Sequence, residues 1–200
     1  IAMGNVGPVS LLGQYVTVDN VADAYNLKAD ASVAMAKLGV EYSALELDSK
    51  TGVASADLDD RSTLKAYVAA NVGIVSAKLT YAETGKKGSG SIDSQINSST
   101  ETPSEYLLWN LGTSKNADMD LYAIDASVKV TPAITLRAAY AAGEIDDGTN
   151  AGNDVEEALG QISYKMSKNL TTYVMYSQYD ASSTNDDDAQ RGRIEAKYTF

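Results

Sequence analysis

The chain has 200 residues and a net charge of −11, from 27 acidic and 16 basic side chains, and contains neither cysteine nor histidine. Those two absences remove disulfides, thiolate metal sites and every imidazole mechanism, and the acidity argues against nucleic acid as a partner. No run approaches the ~18 uninterrupted apolar residues of a membrane-crossing helix.

The pattern that does recur is alternation of period two, which marks strands with one apolar face. Strands are expected at about 9–18, 25–35, 40–47, 62–71, 75–83, 119–130, 134–142, 155–166, 170–179 and 190–200, ten in all. In 25–35, Tyr25, Leu27, Ala29, Ala31, Val33 and Met35 share one face, opposite Asn26, Lys28, Asp30 and Ser32. In 119–130, Tyr122, Ile124, Ala126, Val128 and Val130 oppose Asp125, Ser127 and Lys129. The strands at 134–142, 155–166 and 190–200 repeat the pattern, whereas 9–18 and 170–179 alternate less cleanly.

Short turns are expected at 36–39, 72–74, 131–133 and 167–169. Long connections fall at 48–61, 84–118, 143–154 and 180–189, with 19–24 intermediate. Strands of about 9–11 residues, with short turns at one end and long loops at the other, describe an antiparallel transmembrane β-barrel. A soluble sandwich or lipocalin-like barrel also alternates, with its apolar face turned inward.

Two features favour the membrane. Thirteen Tyr stand against one Phe and one Trp. They fall toward strand ends: Tyr25, Tyr81, Tyr122, Tyr140 and Tyr176 near the long loops, and Tyr42, Tyr164, Tyr198 and Phe200 near the short turns. Two aromatic girdles are what bilayer interfaces select. The apolar faces are also rich in Ala and too thin to fill a closed soluble core.

The polar faces then become the lining of a lumen. Lys28, Asp30, Lys65, Lys78, Asp125, Lys129, Arg137, Lys165, Arg193, Glu195 and Lys197 are the expected pore-lining residues, joined by Arg191, Glu41 and Glu157. Opposed charges on such a wall order water and pass ions and small polar solutes. The remaining acids fall in loops, as in Asp57/Asp59/Asp60 and Asp186/Asp187/Asp188, and neither cluster has the spacing of a calcium-loop motif. The second half of 84–118 contains SEYLLWNLG, too apolar to stand in water. Tyr106 and Trp109 are its expected anchors, either infolded against the wall or latched onto a neighbouring subunit.

The last strand, RGRIEAKYTF, ends on Tyr198 and Phe200 and looks like the C-terminal assembly signal of outer-membrane proteins. The stretch 155–200, with SYKMSKNLTTYVMYSQYD and the acidic STNDDDAQ, resembles the Campylobacter-type major outer membrane porins. The resemblance implies that the chain is the C-terminal part of a 16- or 18-stranded barrel, and that the porin is a homotrimer. Residues 1–200 are expected to form one barrel domain with the long loop 84–118 inserted. It further implies a Gram-negative outer-membrane location, with long loops extracellular and short turns periplasmic. Lipid, lipopolysaccharide and the barrel-assembly machinery are the implied partners. Related porins imply calcium without placing a site, so metal ligands are left unassigned and no other cofactor is expected. The function expected is passive diffusion of ions and small polar solutes, not catalysis. The alternative is a small structural or adhesive barrel acting through its loops.

Overall fold

The computed structural model describes residues 1–48, 61–90, 108, 111–113, 117–146, 153–182 and 189–199. These form one antiparallel sheet of eleven strands in sequence order, and no helix occurs among the described residues. The strands are β1 (Ala2–Val6), β2 (Val9–Val18), β3 (Ala22–Val33), β4 (Ala36–Leu47), β5 (Arg61–Val72) and β6 (Val75–Thr84). They continue as β7 (Met119–Lys129), β8 (Ile134–Ile145), β9 (Asn153–Lys165), β10 (Leu170–Ala181) and β11 (Ala189–Tyr198).

Ten strands were expected and eleven are found. The additional one, β1, is only five residues long with Gly4 at its centre, so it offers too little alternation to read. It pairs with β2 through a two-residue turn at Gly7-Pro8, where Gly7 has φ 59°. A positive φ at the first turn residue suits hairpins whose strands twist right-handedly.

The expected turn at 36–39 is also displaced. Val33 pairs with Ala36, so the turn is Ala34-Met35, with Ala34 at φ 53°. Ala-Met carries no turn signal, and Gly39, within the expected turn, lies inside β4 opposite Asp30 and Tyr67. Consequently Tyr42 pairs with Leu27 and Leu64 in mid-strand, not at the short-turn rim.

The remaining short connections are locally determined. Gly73, at φ 60°, opens the turn between β5 and β6. Thr131 Oγ1 accepts from the amides of Ala133 and Ile134, at 3.2 and 2.9 Å. Ser167 Oγ does the same for Asn169 and Leu170, at 3.3 and 3.1 Å. A hydroxyl two or three residues back replaces a ladder partner in both turns.

The two faces of the sheet differ sharply. The outer face exposes a continuous apolar surface, including Leu27, Leu79, Ile124, Ile162, Val174 and Ile194. An apolar area of this extent marks contact with lipid or a partner rather than water. The inner face holds the buried residues, both apolar, such as Leu121 and Leu159, and polar, such as Asn26, Ser43 and Thr63.

Candidate channel-lining face

Side chains two apart in a strand share a face, and the ladder register carries that parity across the sheet. One row runs from Lys28 through Glu41 and Lys65 to Ala82. A second joins Lys78, Asp125, Ala139, Leu159, Ser177 and Arg191. Further rows connect Arg137, Gln161, Met175 and Arg193, and Lys129, Thr135, Ser163, Tyr173 and Glu195. Lys165 and Lys197 flank Thr171, and Asp30 joins Gly39 and Tyr67. The register therefore places all eleven residues expected to line a pore on the inner face.

Every other strand cation is there too. Lys37 pairs with Ser32 and Ala69, and Arg61 with Leu45, both at inner positions. Lys37 had been assigned to a turn, and Arg61 fell just before the expected strand. The outer face carries charge of one sign only. Asp23, Glu46, Glu83, Asp120, Glu144, Asp154, Glu156 and Asp180 all lie there, close to the long-loop ends of their strands. Tyrosines cap this acidic rim: Tyr81 donates to Asp120 Oδ1 at 2.6 Å and Tyr140 to Glu156 Oε2 at 2.5 Å. Tyr15 stacks on Tyr25 with centroids 5.1 Å apart, and Tyr81 on Tyr122 at 5.0 Å.

The inner charges form local pairs. Arg137 grips Asp125 through Nε at 2.9 Å and Nη2 at 2.5 Å, a fork that a lysine could not supply. Arg193 meets Glu195 at 2.5 Å, and Tyr173 donates to the same carboxylate at 2.7 Å. Lys28 lies 3.3 Å from Asp30, which also accepts from the Tyr67 hydroxyl at 2.5 Å. The Lys78 ammonium lies 4.7 Å above the Tyr67 ring. Tyr67 reaches across β4 because Gly39 has no side chain: a Cβ there would lie 2.2 Å from the ring. Asn26 ties β3 to β4 by donating to Glu41 and Ser43, each at 2.8 Å. Tyr67 and Tyr173 were not anticipated as lining residues, although the parity of Lys65 and Lys165 assigns them to this face.

The inner face is not uniformly polar, contrary to the expectation of a charged wall. Toward the long-loop end of β6–β10, Ala82, Met119, Leu121, Ala139, Ala141, Val155, Leu159 and Met175 form one apolar cluster. The physical reason is its cover. Leu108 and Leu111, from the long connection between β6 and β7, are buried in this cluster, and Thr113 beside them is fully buried. Leu111 donates its amide to Glu157 Oε2 at 2.7 Å. The start of the same connection also turns inward. Gly90 donates to Thr63 Oγ1 at 3.1 Å, and Thr63 and Ser89 share a 2.7 Å hydrogen bond. A Cβ on Gly90 would lie 2.3 Å from the Ser43 carbonyl, so only glycine approaches the wall this closely.

Of the two expected anchors and the assembly signal, Tyr106, Trp109 and Phe200 lie outside the described residues, as do Asp57, Asp59, Asp60 and Asp186–Asp188. Tyr198 ends β11, exposed on the outer face opposite Leu170. Among the described residues no group of three or more carboxylates is placed to hold a metal ion.

No protein-family model and no curated protein matches the sequence. Solved structures do match. OccK10 (OpdN) of Pseudomonas aeruginosa superposes with TM-score 0.74 at 15% identity, covering 98% of this chain and 58% of that one. The outer membrane protein OpdK of the same organism gives 0.72 at 14% identity, covering 98% and 54%. In vitro folded OmpT, an outer membrane protein of Vibrio cholerae, gives 0.62 at 16% identity, covering 98% and 62%. The chain thus spans little more than half the length of these neighbours. Identities this low speak to fold alone, and the fold they speak to is the antiparallel wall of an outer-membrane β-barrel.

Proposed function

We propose that this chain is part of the wall of a Gram-negative outer-membrane porin, with its inner face lining a water-filled channel for ions and small polar solutes. The carrying observation is the segregation of charge. Every lysine and arginine within the strands lies on the inner face, while the apolar outer face bears only rim carboxylates. Water must reach the inner face for those cations to remain solvated, and lipid suits the other. Leu108 and Leu111 support the reading, because they pack on the apolar part of the inner face while Arg137 and Asp125 stay partly exposed.

The finer reading is a Campylobacter-type porin of 16 or 18 strands, assembled as a homotrimer. Its long loops face outward and its short turns the periplasm. Lipopolysaccharide surrounds its outer face, and the barrel-assembly machinery recognises its last strand. No catalytic role is proposed. Calcium, if bound, belongs to the acidic loops.

Planar-bilayer recording of the full-length protein tests the proposal. Discrete, long-lived conductance steps are expected, in groups of three for a trimer. Replacing Arg137 and Arg193 with Ala is expected to move the reversal potential toward cation preference. A protein that inserts stably yet passes no current would refute the channel and leave the adhesive alternative.

A further inference from the structure

Glu157 is fully buried on the inner face of β9. Its inner-face neighbours along and beside the strand are Val155, Leu159 and Ala141, apolar and buried, and the half-buried Tyr179 opposite it on β10. A carboxylate in such surroundings is very costly unless donors satisfy it. Two of its donors come from different parts of the molecule. Ser177, on the adjacent strand β10, donates its hydroxyl to Oε1, which is a bond within the wall. Leu111 donates its backbone amide to Oε2 at 2.7 Å, which is a bond from the wall to the infolded segment.

Two of the contacts that hold Leu108 and Leu111 to the wall differ physically. Leu108 and Leu111 bury apolar surface, which attracts but has no preferred direction. The amide–carboxylate bond does have direction, and it is the stronger kind because one partner is charged. An apolar patch alone would let the segment slide over Met119, Leu121 and Leu159, whereas the Glu157 bond fixes its register.

We propose that Glu157 is the positioning residue that fastens the stretch carrying Leu108 and Leu111 over the inner face and so sets the open cross-section of the channel. This rests on the channel reading for its consequence, though not for its geometry.

These 200 residues contain no cysteine, and labelling of the protein without the introduced thiol supplies the background. Leu111→Cys is made in the full-length protein in lipid vesicles and treated with a charged, membrane-impermeant thiol reagent. With Glu157 intact the thiol is expected to be protected. With Glu157→Ala its labelling rate should rise roughly ten- to a hundredfold, which is the population shift that loss of a charge-assisted hydrogen bond implies. Ser177→Ala, which leaves the Leu111 bond in place, should raise it much less. Glu157→Gln keeps the side-chain shape and one acceptor oxygen; it is expected to be intermediate, and it serves where the alanine variant does not assemble. Met175→Ala, which loosens the apolar patch without touching the carboxylate, is the control. If it exposes Leu111→Cys as much as Glu157→Ala does, the protection is general packing and the proposal is overturned.

Conductance of the same Glu157 variants without the cysteine should rise in the same order as labelling. Current that persists while labelling is unchanged by Glu157→Ala sinks the fastening role. Labelling that follows the expected order in a protein that never conducts sinks the channel and leaves the fastening intact.

Discussion

The inner face is two surfaces built on one parity. Toward the long loops it is Met119, Leu121, Ala139, Val155 and Leu159, closed over by Leu108 and Leu111. Toward the short turns it is Asp125, Arg137, Arg193, Glu195 and Lys197, with the Arg137 and Asp125 side chains each about a third exposed. Strand, pleat and handedness are the same in both regions. What differs is the cover: polypeptide in the first, solvent in the second. Side-chain chemistry follows the cover, and the pairing of strands does not record it.

The sharpest break of this comparison comes from placing the same residue in both regions of β7. Leu121→Arg drives a charge into the fully buried patch and should cost more than about 4 kcal/mol, in the range reserved for unpaired buried charges. Ser127→Arg, on the same face but toward the turn, should cost less than about 1 kcal/mol. Urea unfolding in lipid vesicles measures both, and equal losses would dissolve the distinction. On the opposite face of the strand, Ile124→Arg should cost about 2–4 kcal/mol if lipid is the cover there.

Smaller effects sharpen the polar region. Arg137→Ala removes a partly exposed ion pair and should lower stability by about 1 kcal/mol or less. Its visible effect should be on ion preference in bilayer recordings. A reversal potential that does not move would mean that the pair solvates the wall and does no more. Gly39→Ala should act on a similar scale. The new methyl pushes the Tyr67 ring off β4 and breaks its bond to Asp30, worth about 1 kcal/mol. A second-site Tyr67→Phe should add little to it, and full additivity of the two would show that Gly39 has another task.

Period-two alternation made most of the fold legible, because the apolar and the charged face of the sheet differ at every second residue. It placed Lys28, Asp125, Arg137 and Glu195 on one face before any pairing was known. It failed where the rule of one polar face fails. Around β10, Met175 and Tyr179 break the polar series because the wall there meets protein, so the strand was read as poorly alternating. Leu159 was passed over on β9 for the same reason. Glu157 was visible as an inward acid, but its partner Leu111 lies 46 residues away, beyond any local pattern. The turn expected at 36–39 fell too late, because Ala34-Met35 carries no turn residue and Gly39, cleared for the Tyr67 ring, lies inside β4.

The acidic rim on the outer face has a mechanical consequence for the proposed membrane setting. Each residue step along a strand is about 3.3 Å. Sinking the wall by one or two steps toward its turns would carry Asp120, Glu144 and Asp154 into hydrocarbon. Rising by the same distance would wet outer-face residues beside that rim, such as Tyr122, at a smaller cost for each. The restoring force on the protein is therefore steep in one direction and shallow in the other. A bilayer that thins or thickens should be matched by movement at the turn end, while the carboxylates keep the long-loop end at a constant waterline.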